Sequence, residues 1–260
     1  MTNVATGTSA SGVHTITIDR EERRNALDRA TLDELEAAFE AAGRDEAVRV
    51  VVLRGAGDRA FCAGADLGEL LAHETVEDHR RHFDGVARVI LAMHRVGAPV
   101  ITRVQGYALA GGCGLAVAGD LTVAGKSAVF GLPEIGLGLL PMVVSAPIWR
   151  ATGSRKVVLD LVLSGRRVKA KEARKLGLVT RVVADDALDG EVAALAEQLA
   201  ALSPAVVKLG KRAIYRMTEM DYEVALAYLR ETVVLAVRSE DAKEGIRSFF
   251  EKRAPRWSGR

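Results

Sequence analysis

Aromatic side chains are scarce in this chain, 5% of 260 residues, so aliphatic groups must do most of the packing. Cysteine is scarcer still: Cys62 and Cys113 stand alone, with no Cys-x-x-Cys spacing. That argues against a disulfide framework or a zinc site and fits a reducing compartment. Neither sign of charge dominates. Lys and Arg number 36 against 34 for Asp and Glu, a net charge of +2, which gives no reason to expect nucleic acid or an anionic membrane as partner. A local basic patch for a phosphorylated ligand stays compatible with that balance. No apolar run reaches the roughly 18 residues of a spanning helix. The Ser/Thr-rich opening, Met1 to Gly12, lacks the basic start and apolar stretch of a secretory or transit peptide and reads as a frayed terminus. Together these absences predict a soluble, cytoplasmic protein with no bound metal.

What is present suits a globular enzyme. The chain is 49% apolar and 27% charged, enough for one large domain or one domain plus a helical appendage. Gly12 to Asp19 alternates apolar and polar residues, the period of a half-buried strand, and Leu27 to Ala42 carries Leu32, Leu35, Ala38, Phe39 and Ala42 at helical spacing. Val48 to Leu53 is a β-branched run ending at Gly55-Ala56-Gly57-Asp58, and strand signals recur at Pro99 to Gln105 and Leu121 to Val123. This alternation predicts an α/β fold. Beyond about Ala187 the texture becomes purely helical, with Ser203-Pro204 as a helix cap followed by Pro at the first helical position. We therefore divide the chain into a mixed core, residues 1–200, and a helical piece, residues 201–260.

Three segments could carry chemistry. In Ala60-Phe-Cys-Ala-Gly-Ala-Asp-Leu67, small residues flank Gly64, so the backbone can turn sharply and a ligand can approach exposed N–H groups; an ordinary loop is the alternative. In Gln105-Gly-Tyr-Ala-Leu-Ala-Gly-Gly-Cys-Gly-Leu115, a strand runs into glycines and then an apolar helix, whose free N–H groups would stabilise a developing oxyanion; tight helix–sheet packing is the alternative. In Phe130-Gly-Leu-Pro-Glu-Ile-Gly-Leu-Gly-Leu139, Glu134 is the one charge, and apolar surroundings would raise its pKa toward a value useful for proton transfer; a solvated loop carboxylate is the alternative.

In this order and at these separations, the three segments resemble the crotonase (enoyl-CoA hydratase/isomerase) family. So do Arg24-Asn-Ala-Leu27, Leu163-Ser-Gly165 with Glu172-Ala-x-x-Leu-Gly-Leu-Val179, and Glu251-Lys-Arg253. The resemblance covers residues 12 to 257. It implies a spiral of ββα turns followed by C-terminal helices that build a trimer or a dimer of trimers. It implies an acyl-CoA substrate and no separate cofactor, coenzyme A being part of the substrate. The thioester oxygen would be bound by the backbone N–H groups of Ala65 and Gly111, with Glu134 as the catalytic carboxylate. Arg23, Arg24, Ala63, Asp66, Leu67, Gly112 and Gly114 would line the coenzyme and acyl groove. Lys252 would reach coenzyme phosphate, across to a neighbouring subunit; a solvated tail charge is the alternative.

Two departures from the family pattern stand out. Hydratases of the family carry a second glutamate directly after the Gly-Gly-Cys stretch, and this chain has Gly114 there, at the family's spacing of 20 residues before Glu134. A single carboxylate suits double-bond isomerisation by economy, while some hydratases of the family also lack that first glutamate; we place hydration first and isomerisation second. The other departure is Leu139-Leu-Pro-Met-Val-Val144, where relatives carry a Gly-rich helix start, so the acyl pocket is expected to differ there. His79 and His82 share a helix at i, i+3. A solvated face is the expectation for them and for His73, although in the family fold that helix lies over the acyl pocket, where they would tune substrate choice.

Two readings of other classes compete. Gly55-Ala-Gly-Asp-Arg-Ala60 fits the dinucleotide pattern G-x-G-x-x-[GA], which would make the protein an NAD-dependent oxidoreductase. Gly114 in place of a catalytic glutamate would also fit a thioester-binding protein without turnover.

Overall fold

The computed structural model describes residues 2–260. The chain begins with β1 (Val4–Thr8) and β2 (Val13–Ile18), an antiparallel pair. The segment expected to fray is thus an ordered edge strand, because residues 4–8 find backbone partners along β2. Helix α1 (Arg29–Arg44) follows; its Glu34 accepts from the N–H groups of Asn3 and Val4 and fastens β1 further. α1 starts two residues after Leu27 because Asp28 is its cap, accepting from Thr31 N at 2.8 Å. Leu32, Leu35, Phe39 and Ala42 then turn one apolar stripe to the core.

Next come β3 (Val50–Gly55), β4 (Ala60–Cys62), α2 (Leu67–Ala72), α3 (Val76–Arg95), β5 (Val100–Val104), β6 (Tyr107–Leu109), α4 (Gly111–Ala118), β7 (Leu121–Gly125) and β8 (Val129–Gly131). After them run α5 (Met142–Thr152), α6 (Arg155–Ser164), β9 (Arg167–Lys169), α7 (Ala170–Lys175), β10 (Arg181–Val183), α8 (Leu188–Ala200), α9 (Pro204–Met217), α10 (Tyr222–Val237) and α11 (Glu240–Phe250). The strands form a six-stranded sheet, β1-β2-β3-β5-β7-β10, and a four-stranded sheet, β4-β6-β8-β9. The pairs β3–β4, β5–β6 and β7–β8 each give one strand to the large sheet and the next to the small one, before helix returns the chain. Both sheets therefore advance by one parallel strand per turn. This is the spiral of ββα turns that the resemblance implies.

That spiral overturns the dinucleotide reading. The G-x-G-x-x-[GA] pattern runs from β3 into another strand, β4, whereas a phosphate-binding turn must open directly onto a helix. The Gln105 amide instead donates to the carbonyls of Gly55 and Gly57 and pins the turn in place.

One core fills the space between the sheets and α1, α3 and α4, with Phe39, Phe61, Phe130, Leu53, Met93 and Leu115 fully buried. A second lies on the outer face of the large sheet, where Leu188, Val192, Leu195 and Ala196 of α8 cover Val50, Val52, Ile101 and Val123. Helices α9 to α11 bury far less: Ala213, Ala225, Asp241 and Ser248 are their buried residues. α9 starts as expected, with Ser203 accepting from Val206 N and Pro204 in the first turn. It is tied to the core by Asp120, which takes Lys211 Nζ at 2.7 Å and Tyr215 Oη at 2.7 Å. Among the described residues no single helix is long and apolar enough to cross a membrane.

Candidate active site

The expected site residues converge through the spiral. Ala65 lies just past the end of β4, Gly111 just past β6 and Glu134 just past β8. These are equivalent exits of three successive neighbours in the small sheet. All three residues line one cavity of about 780 Å³.

The backbone at the first two exits is bent away from regular conformation. Gly64 has φ +99°, and a Cβ there would lie 2.6 Å from the Ala110 Cβ. Ala110 itself sits at φ 53°, ψ −127°, a conformation that side chains rarely adopt, capping α4 while its N–H donates to Gly131 O at 2.9 Å. The result is that the N–H groups of Ala65 and Gly111 come side by side; a Cβ built on Gly111 would lie 3.9 Å from Ala65 N. Neither N–H meets an acceptor among the described residues. Gly111 opens α4, so the positive end of that helix adds to the same spot.

A second loop clamps the first. Leu27 N donates to Gly64 O at 2.8 Å, Asp66 N to Leu27 O at 2.9 Å, and Ala63 N to Arg24 O at 3.1 Å. Arg20 donates to Asp66 Oδ2 at 3.1 Å, pairs with Asp28 at 2.9 Å and bonds Ala26 O at 2.6 Å. Burial alone would raise the Asp66 pKa, but Arg20 and the N–H groups of Glu69 and Gly68 outweigh it and hold the carboxyl below its ordinary value. Arg24 and Asn25 are both left-handed, at φ 54° and 56°. Asn25 is fully buried, donating to Ala56 O and Ala60 O and accepting from Arg20 N. Arg20 and Asn25 thus fix the loop that carries the Ala65 N–H. Sequence reasoning missed both; the visible signal was an Asn inside the Arg-Asn-Ala-Leu motif, a residue that tolerates a left-handed turn.

Glu134 is the second residue of the short 3-10 segment Pro133–Leu137. Its Oε2 is sealed from water and has no hydrogen-bond partner, and burial pushes its pKa above the ordinary glutamate value against one opposing bond from its own backbone N–H. Cys62 and Cys113 lie beneath the site as free, buried thiols, both pushed up to about 12 by burial, and so stay protonated.

Arg23, Arg24, Ala63, Asp66 and Leu67 line the same cavity. Gly112 and Gly114 lie under it in the buried body of α4. A Cβ on Gly112 would collide with the Cys62 carbonyl, so glycine there lets the helix start press against β4. A Cβ on Gly114 would collide with the Val144 side chain of α5. The two departures noted in the sequence are therefore one packing event: the divergent segment brings Val144 into the space that a side chain at position 114 would need. Lys252 follows α11 on the surface at φ 52° and does not line this cavity. The histidines divide. His79 is exposed, bonding Thr75 O, whereas His82 faces inward at 1% exposure and lines the cavity, against the expectation of a solvated face. The reason is the helix phase: His82, Val86, Val89 and Met93 form the buried stripe of α3.

A cavity with two free backbone donors and one desolvated carboxylate is equipped for acyl-thioester chemistry through an enolate. Comparison with known proteins agrees. Residues 8–260 match the family model described as enoyl-CoA hydratase/isomerase. A crystal structure of an enoyl-CoA hydratase from Mycobacterium smegmatis superposes with a TM-score of 0.94 at 39% identity, covering 98% of each chain. The short-chain-enoyl-CoA hydratase of Clostridium acetobutylicum is 34% identical over 93% of this chain and 92% of its own. The 2,3-dehydroadipyl-CoA hydratase of Escherichia coli (strain K12) is 35% identical over 94% of each. The chain belongs to the enoyl-CoA hydratase/isomerase family, and it is an enzyme of the enoyl-CoA hydratase type.

Proposed function

We propose that this protein adds water across the 2,3-double bond of an enoyl-CoA, with Ala65 and Gly111 as backbone donors and Glu134 as the sole proton carrier. The thioester oxygen accepts from the two N–H groups. Glu134, ionised, takes a proton from a water molecule as the oxygen of that water bonds to C3. The double-bond electrons move into the thioester, whose oxygen becomes an enolate held by the two donors. Glu134 then returns its proton to C2, which restores the thioester carbonyl and the carboxylate. The observation that carries this reading is the grouping, in one cavity, of two acceptor-free N–H groups with a carboxylate oxygen that has no partner.

Arg23 and Arg24 at the cavity mouth supply positive charge for coenzyme phosphates, and Lys252 does so for a neighbouring subunit's ligand. The assembly is a homotrimer or dimer of trimers, formed through the apolar surface of α9 to α11, and the enzyme works in the cytoplasm without a separate cofactor. Incubation with a 2-enoyl-CoA in deuterated water tests the chemistry. The expected product is a 3-hydroxyacyl-CoA with deuterium at C2. Deuterium at C2 and C4 without alcohol would make the enzyme a double-bond isomerase.

A further inference from the structure

The cavity holds a polar group that the proposed hydration does not use. His82 is 1% exposed, and neither ring nitrogen has a hydrogen-bond partner. The nearest carboxylate oxygen, Glu69 Oε2, is 3.7 Å from Nδ1, beyond hydrogen-bond range. Buried Asn25, Thr102, Ser203 and Asp241 all have partners, and Arg103 and Gln105 each bond through other atoms of the same group, so among the described residues His82 is the buried polar side chain with no partner on any atom. An unpaired buried group of this kind is unfavourable, and a ligand atom reaching it would relieve that cost. The cavity wall around it is apolar, formed by Leu70, Phe83, Val86, Leu140 and Val143, which suits the acyl portion of a thioester.

The surroundings of His82 narrow the kind of ligand atom. Glu69 is the carboxylate beside it; Asp28 and Asp66, further off, are both held by Arg20. His73 lies with its ring centroid 6.0 Å away, and His79 is next to His73. Burial first, then His73, holds the His82 imidazole below its ordinary pKa. A neutral imidazole offers one donor and one acceptor. It has no positive charge to hold a carboxylate, and Glu69 would repel one.

Resting on the reading of the cavity as an acyl-thioester site, we propose that His82 is a specificity-determining residue that selects acyl chains bearing a neutral oxygen, a hydroxyl or a ketone, over plain and carboxylate-ended chains. The test is calorimetric binding of saturated acyl-CoAs of increasing length, ending in methyl, hydroxymethyl or carboxylate, to wild type, His82→Leu and His82→Gln. Wild type is expected to bind the hydroxylated thioester of best-fitting length about 10-fold more tightly than its methyl-ended equivalent, the scale of one net hydrogen bond. His82→Leu should abolish that ratio, and His82→Gln, which keeps a donor and an acceptor, should retain part of it. The proposal is overturned if the ratio is the same in wild type and His82→Leu, or if wild type prefers the methyl- or carboxylate-ended chain. If the leucine variant does not fold, the glutamine variant decides: a reduced preference for the hydroxylated chain supports the role of His82, and an unchanged one overturns it. Saturated thioesters need no turnover, so this outcome is independent of whether the enzyme hydrates. Failure of every thioester to bind would instead overturn the acyl-CoA reading itself, and His82's role with it.

Discussion

The spiral core and the C-terminal helices use the same aliphatic vocabulary in opposite ways. In the core, apolar side chains close on one another, and the polar groups at the strand exits are left aimed into a cavity. In α10 and α11, Val224, Leu226, Val233, Leu235, Phe249 and Phe250 are each more than half exposed. An apolar surface of this size is what the proposed assembly would cover. The core can therefore be altered to change chemistry, and the helical layer to change assembly; the comparison fails if changes in one region produce the effects assigned to the other.

The sharpest test lies in the core. Glu134→Gln should lower turnover by roughly 100-fold or more, the scale of a lost general acid–base group, while leaving thioester affinity nearly unchanged. In the wild type the carboxylate must be ionised to act, so kcat/KM should fall as pH falls through the pKa of Glu134. Since burial raises that pKa, the acidic limb should lie above the ordinary glutamate value of about 4.3 and should vanish in the glutamine variant. Ala65→Pro, which deletes a donor, should cost about 100–1000-fold in kcat; Ala65→Ser, which keeps it, should be mild. Equal damage from both would assign position 65 to packing.

Gly114→Glu would place a carboxylate where hydratases of the family carry their second glutamate. Val144 makes it a packing lesion instead. It should destabilise the fold by about 1–3 kcal/mol, as overpacked cores do, and Val144→Gly in the same chain should recover part of the lost melting temperature. Charge on the helical layer should act differently: Val233→Glu with Leu235→Glu should lower the mass seen by light scattering to that of one chain without moving the acidic limb of the pH profile. The smallest expected change is local. Asp241 is buried and accepts from Ser203, from Ser258 N and Oγ and from Gly259 N, anchoring the C-terminal tail. Burial pushes its pKa up, but those bonds outweigh it and hold the carboxyl below the usual range. Its contribution to stability is therefore present above the unfolded-state carboxylate pKa and lost as pH falls through the folded one. Asp241→Ala should cost about 1–3 kcal/mol by chemical denaturation, with kcat on a bound thioester retained.

The inner strands of the large sheet and the long amphipathic helix were readable because period alone decides them, whereas the three-residue strands of the small sheet are too short to show one. The stripe of α1 and the β-branched run of β3 needed no tertiary information. β1 was missed because Val-Ala-Thr-Gly-Thr carries one apolar side chain of any size; its strand state comes from pairing with β2. The candidate site segments were legible through the family resemblance rather than through spacing, since glycines at a turn say nothing of where their N–H groups point. The inward turn of His82 and the contact of Val144 with Gly114 depend on how helices pack, which no local pattern records.

That Ala65, Gly111 and Glu134 follow neighbouring strands of one small sheet has a thermal consequence. Parallel neighbours are held roughly 4.8 Å apart by their ladder of hydrogen bonds, and the β4–β6 pair, with the Arg20 and Asn25 clamp on the loop that follows β4, spaces Ala65 from Gly111. Warming that frays the tail or loosens α9 to α11 leaves this spacing intact. Inactivation should then coincide with cooperative loss of the sheet, so amide exchange in β6, the strand shared by both neighbours, should be among the slowest in the molecule and should set the enzyme's working lifetime when heated.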